Sequence, residues 1–264
     1  MTEWQLASLP ILLLSLLVVG GATSLAVAGM LVVRRLIPLE VLEANHEVGG
    51  ILIQIVAPAY AVLLAFVVFV VWTQHDEAEG FVAQEANRVA HLFRIVQGMP
   101  EPTQSQIRES LHKYAQIVIE EEWDAMARGE ASPPAWDAYD ELTHYYTMAP
   151  LRGREGSFDR VLLENLNALG DLRTRRVLSS QAALPGVLWV LLVGGGVITI
   201  GFSYLFGIKN LWAQALMTAA AAGTIAFFLF LILAIDLPFT GGVRLTPEAF
   251  RLVLEHFGRS AGEQ

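Results

Sequence analysis

The 264-residue chain has no cysteine, which excludes disulfides and thiolate metal sites. Charge is also scarce, with Asp, Glu, Lys and Arg making up 16% against about 25% in an ordinary globular domain. No stretch alternates apolar and polar residues with period two, so strands are not expected. There is no phosphate-binding glycine loop, no G-x-S-x-G turn, and no intramembrane Ser–Lys or Asp–Asp pair. His46–Glu47 is followed by Gly50 where a zincin needs its second histidine. His75, His91, His112, His144 and His256 are scattered without metal spacing. Neither catalysis nor a cofactor is expected. The net charge of −9 is no footprint for nucleic acid.

What the chain does have is long apolar runs, within an overall hydrophobic content of 54%. Four runs reach the roughly 20 residues a membrane-spanning helix needs: Leu9–Val33, Ile51–Thr73, Leu184–Phe206 and Leu211–Leu237. Asp236 is their only charged residue. Ahead of the first run stands Glu3, where a secretory signal has Lys or Arg, and the run stops at Arg34–Arg35, so it reads as an uncleaved helix. The expected fold is an all-α integral membrane protein with four transmembrane helices in two hairpins. Its sections are a first hairpin over 1–73, a helical stalk over 74–183, a second hairpin over 184–237, and a tail over 238–264 with a short helix. Gly20, Ser24 and Ala28, and likewise Ala215, Ala219 and Gly223, repeat small residues every four positions, as does close helix packing. The "GGG" at 194–196 reads as a further packing site or a flexible point.

Orientation follows the basic residues near the span ends. Arg88, Arg94, Arg173, Arg175, Arg176, Arg244 and Arg251 favour a cytoplasmic insert, whereas Arg34–Arg35 on the opposite side pull the other way. Within the insert, Ala78, Val82, Glu85, Val89, Leu92 and Val96 alternate spacings of three and four, a helix-packing seam. Thr103 with Gln106 reads as a capping box opening a helix to Gly129. A short aromatic helix follows from Pro133, "PLRGREGS" reads as a loop, and a last helix covers about 158–183. Thr246–Pro247 starts an amphipathic tail helix with Phe250, Leu254 and Phe257.

The second run raises a problem of its own. In a helix, Gln54, Pro58, Ala61, Ala65, Val68 and Trp72 fall along one stripe. Pro58 has no amide hydrogen, so the carbonyl of Gln54 loses its usual partner. An unpaired carbonyl and a side-chain amide each cost several kcal/mol in hydrocarbon. They are tolerated against another helix, an ordered water or an aqueous lumen. A ring of such helices would form a polar opening and a narrow apolar constriction, the form of a hydrophobically gated pore. Proline kinks and small residues equally serve helix packing. Asp76, Glu77 and Glu79 follow at the exit, where an oligomer would concentrate cations; an ordinary solvated face is the alternative. The insert has 18 acids against 11 Lys and Arg, a net −7.

Glu85 is the one acid in its seam, and a buried acid needs a cationic partner. Arg173, Arg175 and Arg176 supply candidates for a structural ion pair, unless Glu85 reaches water instead.

The stretches "YAVLLAFVVFVVWTQHDEAEGFVAQEANRVAHLFR", "RRVLSSQAALPGVLWVLL" and "AIDLPFTGGVRLTPEAF" resemble the bestrophin-like membrane proteins of bacteria and plants over roughly residues 5–257. That family is in turn similar to bestrophins, pentameric ion channels with four spans per subunit whose second span lines the pore. The resemblance implies a homo-oligomeric ring, most simply a pentamer, in a bacterial inner membrane. Its partners would be the lipid bilayer, further copies of itself and permeant ions. Acids rather than bases at the expected mouth lean towards cations, and no acidic run matches the bestrophin calcium clasp. The alternative is a non-conducting scaffold or sensor whose insert binds a partner through Trp123, Trp136 and Tyr145–Tyr146.

Overall fold

The computed structural model of the chain describes residues 3–44, 46–148 and 157–262, and all regular structure among them is helical. In chain order the helices are α1 (Glu3–Leu36), α2 (Leu39–Ala44), α3 (His46–Val96), α4 (Thr103–Ile117), α5 (Trp123–Ala127), α6 (Pro133–Met148), α7 (Ser157–Ser180), α8 (Gly186–Tyr204), α9 (Leu211–Ile235) and α10 (Glu248–Gly262). A single π turn, Val118–Glu122, joins α4 to α5. The expected "PLRGREGS" loop, apart from Ser157, lies outside the described residues, as do the side chains of His46, Glu47, Tyr145 and Tyr146. The chain divides into two compact units, residues 1–73 with 183–236 and residues 74–182 with 237–264.

The first unit contains the apolar runs, and four helices are long and apolar enough to cross a membrane. Nothing in their all-round hydrophobicity singles out a packing face, so the contacts themselves must define one. In α3 that face is Tyr60, Leu64, Val67 and Val71, which pack with Leu184, Leu192, Ile232 and Ile235. Tyr60 donates to the carbonyl of Leu192 at 2.7 Å. Its ring occupies the space a side chain would need at Gly195, where an added methyl carbon would lie 2.6 Å from Cδ2. Gly194 by contrast faces nothing within 4 Å. The glycine run is therefore a seat for one tyrosine. Interhelical hydrogen bonds of this kind contribute about 0.6–2 kcal/mol in membranes.

Helix α1 packs along α9, and both touch α8. The expected small-residue ladders are displaced. Gly20, Ser24 and Ala28 are exposed, while Ala26 and Met30 are buried. In α9 the buried file is Gln214, Thr218, Ala222, Ala226 and Phe230. Ala215, Ala219 and Gly223, one residue on, are half-buried. Tyr204 supplies one reason: its hydroxyl donates to the Ala26 carbonyl at 2.8 Å and sits over Gly29, fixing which side of α1 turns inward. The ends are tied by polar contacts. The Asn210 side chain caps α9 by accepting from the amides of Trp212 and Ala213. Arg34 donates to the Ile208 carbonyl at 2.9 Å. Asp236, the sole charge of the apolar runs, accepts from the Leu184 amide at 2.9 Å.

Helix α3 continues without a break through Thr73, so the expected span and stalk helix are one 51-residue helix. The 23 uncharged residues Ile51–Thr73 rise about 35 Å at 1.5 Å each, enough for a hydrocarbon core of about 30 Å. In the second unit the seam residues Ala78, Val82, Glu85, Val89, Leu92 and Val96 are all buried. They share a core with Ile107, Leu111 and Tyr114 of α4, Leu142 of α6, and Leu162, Leu166 and Leu169 of α7. The tail belongs to this core through Phe250, Val253 and Phe257. Phe257 stacks on Phe93 at 3.7 Å, and the Trp123 indole donates to the Leu245 carbonyl at 3.0 Å. The expected capping box is not formed. The N-cap of α4 is Pro102, which has no capping side chain, so Thr103 is already inside the helix.

Candidate functional site

The stripe on α3 is the first candidate. Gln54, Pro58, Ala61, Ala65 and Trp72 are exposed on the protomer, and Val68 is half-buried. The last four stripe residues each follow one residue after a member of the packed face Tyr60, Leu64, Val67 and Val71. At 3.6 residues per turn the stripe therefore lies about 100° around the helix from the face that packs inside the protomer. Ala61 and Ala65 also border an apolar groove of about 530 Å³, whose far wall is Ala220, Ala221, Thr224 and Phe228 of α9. The uniform apolarity of the run hid that packed face; the glycine run opposite Tyr60 was the signal for it.

Asp76, Glu77 and Glu79 are exposed on the turns after Trp72. Asp76 and Glu79 stand four and seven residues beyond Trp72 and fall within about 40° of its line, whereas Glu77 falls about 140° away. Among the described residues no group of three His, Asp or Glu side chains could hold a metal ion.

The second candidate is buried in the helical unit. Glu85, Glu122, Arg173 and Arg176 are each fully inaccessible. Arg176 donates from Nε to Glu85 Oε2 at 2.6 Å and from Nη2 to Glu85 Oε1 at 3.0 Å. It also reaches Glu122 Oε2 at 2.5 Å. Arg173 donates to Glu122 Oε1 at 2.5 Å and lies 4.0 Å over the Trp136 ring. Tyr114 donates to Glu85 Oε1 at 2.6 Å. Two acids and two guanidinium groups thus neutralise one another out of water, the condition on which buried charge is tolerated. Burial alone works against the Arg176 charge, but Glu85 and Glu122 outweigh it and hold the guanidinium above its ordinary range. Burial, then Glu85, pushes the Tyr114 phenol well above its own.

Sequence spacing separates the three arginines. Arg173 and Arg176, three apart, share a face of α7, whereas Arg175 is turned out to solvent, 5.9 Å over the Phe81 ring. Arg175 is therefore outside the cluster, and Arg173 pairs with Glu122 rather than Glu85. Glu122 went unforeseen. It ends the π turn, whose extra residue per turn brings Glu122 inward while Glu120 and Glu121 stay exposed. Of the aromatic residues considered as a contact surface, Trp123 is core, edge-on to Phe239 and Phe250, and Trp136 is 39% exposed.

The model of the Bestrophin-like domain matches residues 20–250, which include both candidate sites. No curated protein matches the chain.

Proposed function

The chain belongs to the Bestrophin-like domain family, and from that premise we propose that it is a homo-oligomeric ion channel whose pore is lined by α3. The single observation behind this reading is the exposed stripe Gln54, Pro58, Ala61, Ala65 and Trp72, left uncovered by the fold of its own protomer. Facing a water-filled axis, the Gln54 amide and the carbonyl freed by Pro58 meet solvent rather than acyl chains. Ala61, Ala65 and Val68 then form the narrow apolar constriction that gates by dewetting. Asp76 and Glu79 carry the line on as acids and favour cations at that mouth. A pentamer in a bacterial inner membrane with the helical unit in the cytoplasm completes the proposal. A non-conducting scaffold has less support, because Trp123, one of the aromatics expected to form its contact surface, is occupied in the core.

The absence of native cysteine makes the decisive experiment direct. Single cysteines at Gln54, Ala61, Ala65 and Val68, and at Val62 and Phe66 as controls, are treated with a charged thiol reagent in liposomes. Modification along the stripe but not at the controls, with block of the current in planar bilayers, is the expected result. Unreactive stripe positions together with silent wild-type and Ala65→Ser protein would end the channel reading.

A further inference from the structure

The turn of α3 just beyond Thr73 holds a histidine that the pore reading does not use. His75 is half-buried, and its Nδ1 is shut off from solvent without a hydrogen-bond partner among the described residues. It lines a cavity of about 380 Å³ with Glu79, one helical turn along, and with Arg244, Thr246 and Glu248 of the tail. Leaving a buried ring nitrogen without a partner costs free energy. It is tolerable for a neutral imidazole and far less so for an imidazolium, which must donate from both nitrogens.

We propose that His75 is a proton-operated latch for the C-terminal tail: once protonated it draws the Glu248 carboxylate across the cavity and fixes residues 243–249 against α3. The groups that decide this are few. Asp76 and Glu79 on α3 and Glu248 on α10 favour the imidazolium; Arg244 opposes it, and Arg251, 3.6 Å from the Glu248 carboxylate, competes for that acid. Glu79 sits on the same rigid helix, so pairing with it moves nothing. Glu248 opens α10 and is exposed, so its pairing adds a tie to α3 for a segment otherwise held by Trp123 at Leu245 and by buried Phe250. Burial lowers the His75 pKa, and Glu79 and Asp76 pull it partly back, which keeps the ring neutral until the medium becomes acidic. The latched tail binds the proton more tightly than the free tail, so the latched population rises as pH falls. Each unit of pKa difference between the two states shifts that population about tenfold.

Hydrogen exchange of the full-length chain in lipid nanodiscs tests the latch between about pH 5 and 8, the span in which histidine titrates, with most points in the acidic half because burial lowers the His75 pKa. Exchange of residues 243–249 is divided at each pH by that of the same peptide free in solution, with α4 as a folding control. In wild type the normalised exchange should slow on acidification; in His75→Gln and in Glu248→Gln it should be flat. Glu248 is exposed, so its variant stays informative if His75→Gln fails to fold. A flat wild-type profile, or a pH response retained in either variant, would overturn the latch. The readout needs no current and is separate from the test of conduction.

Discussion

Arg176 and Glu85 meet through two hydrogen bonds, at 2.6 and 3.0 Å, with both side chains fully excluded from solvent. Removing one partner from such a pair leaves an uncompensated buried charge, which typically costs about 3–5 kcal/mol. Glu122 still faces Arg176 in the variant, so Glu85→Gln should fall near the lower end, about 3 kcal/mol. Glu85→Gln combined with Arg176→Met removes the orphaned charge and should recover part of that loss. Glu130→Gln, at the exposed pair with Arg128, should change stability by less than about 1 kcal/mol. Thermal unfolding of the three variants in detergent gives the comparison. Equal effects at the buried and exposed pairs would contradict the assignment.

Tyr114 makes the same cluster sensitive to alkali. Its folded-state pKa is raised, first by burial and then by Glu85. A raised phenol pKa contributes stability that is fully present below the unfolded value, about 10. Above that pH the unfolded chain loses the proton while the folded chain keeps it, so stability falls by up to about 1.4 kcal/mol per pH unit. Tyr139 is raised in the same direction, chiefly by burial, and adds to the slope. Tyr114→Phe should therefore be less stable than wild type at neutral pH, having lost its bond to Glu85, and should show a shallower decline above pH 10. Unfolding midpoints measured across the alkaline range check the sign.

How much of this was visible in the sequence depended on contrast between residues. The seam from Ala78 to Val96 could be read because polar residues separate its members, so its period stands out. Within Ile51–Thr73 every side of the helix is apolar, and no period separates Tyr60, Leu64, Val67 and Val71 from their neighbours. The same lack of contrast displaced the small-residue ladders of α1 and α9 by a fraction of a turn. In the buried cluster, Arg175 could have been set apart from Arg173 and Arg176 by helical spacing alone. Glu122 could not be chosen among Glu120, Glu121 and Glu122, because the π turn that selects it breaks the α-helical register.

Tyr60 and Gly195 should be coupled. A methyl group at Gly195 collides with the Tyr60 ring, whereas Gly194 has open space. Gly195→Ala forces ring or helix to shift, at about 1–3 kcal/mol for overpacking. Gly194→Ala should be neutral or slightly stabilising, since alanine suits a helix interior better. Combining Gly195→Ala with Tyr60→Leu should be less damaging than the sum of the two single changes. Additive losses in thermal unfolding would show that the glycine run is not a seat for Tyr60.

Asp236 offers the sharpest test of a single buried contact. Its Oδ1 accepts the Leu184 amide just before the Pro185 N-cap of α8, joining the end of α9 to the entry of α8. Asp236→Asn keeps an amide oxygen in the same place and should preserve this bond, losing only its charge assistance, about 1 kcal/mol. Asp236→Ala leaves the Leu184 amide buried without an acceptor, at about 1–3 kcal/mol, and frees the 181–185 connection. Hydrogen exchange at Leu184 separates the cases. Protection should persist in the Asn variant and collapse in the Ala variant, because the amide proton rather than the negative charge is what Asp236 holds. Equal loss of protection in both variants would instead make the charge itself the tie.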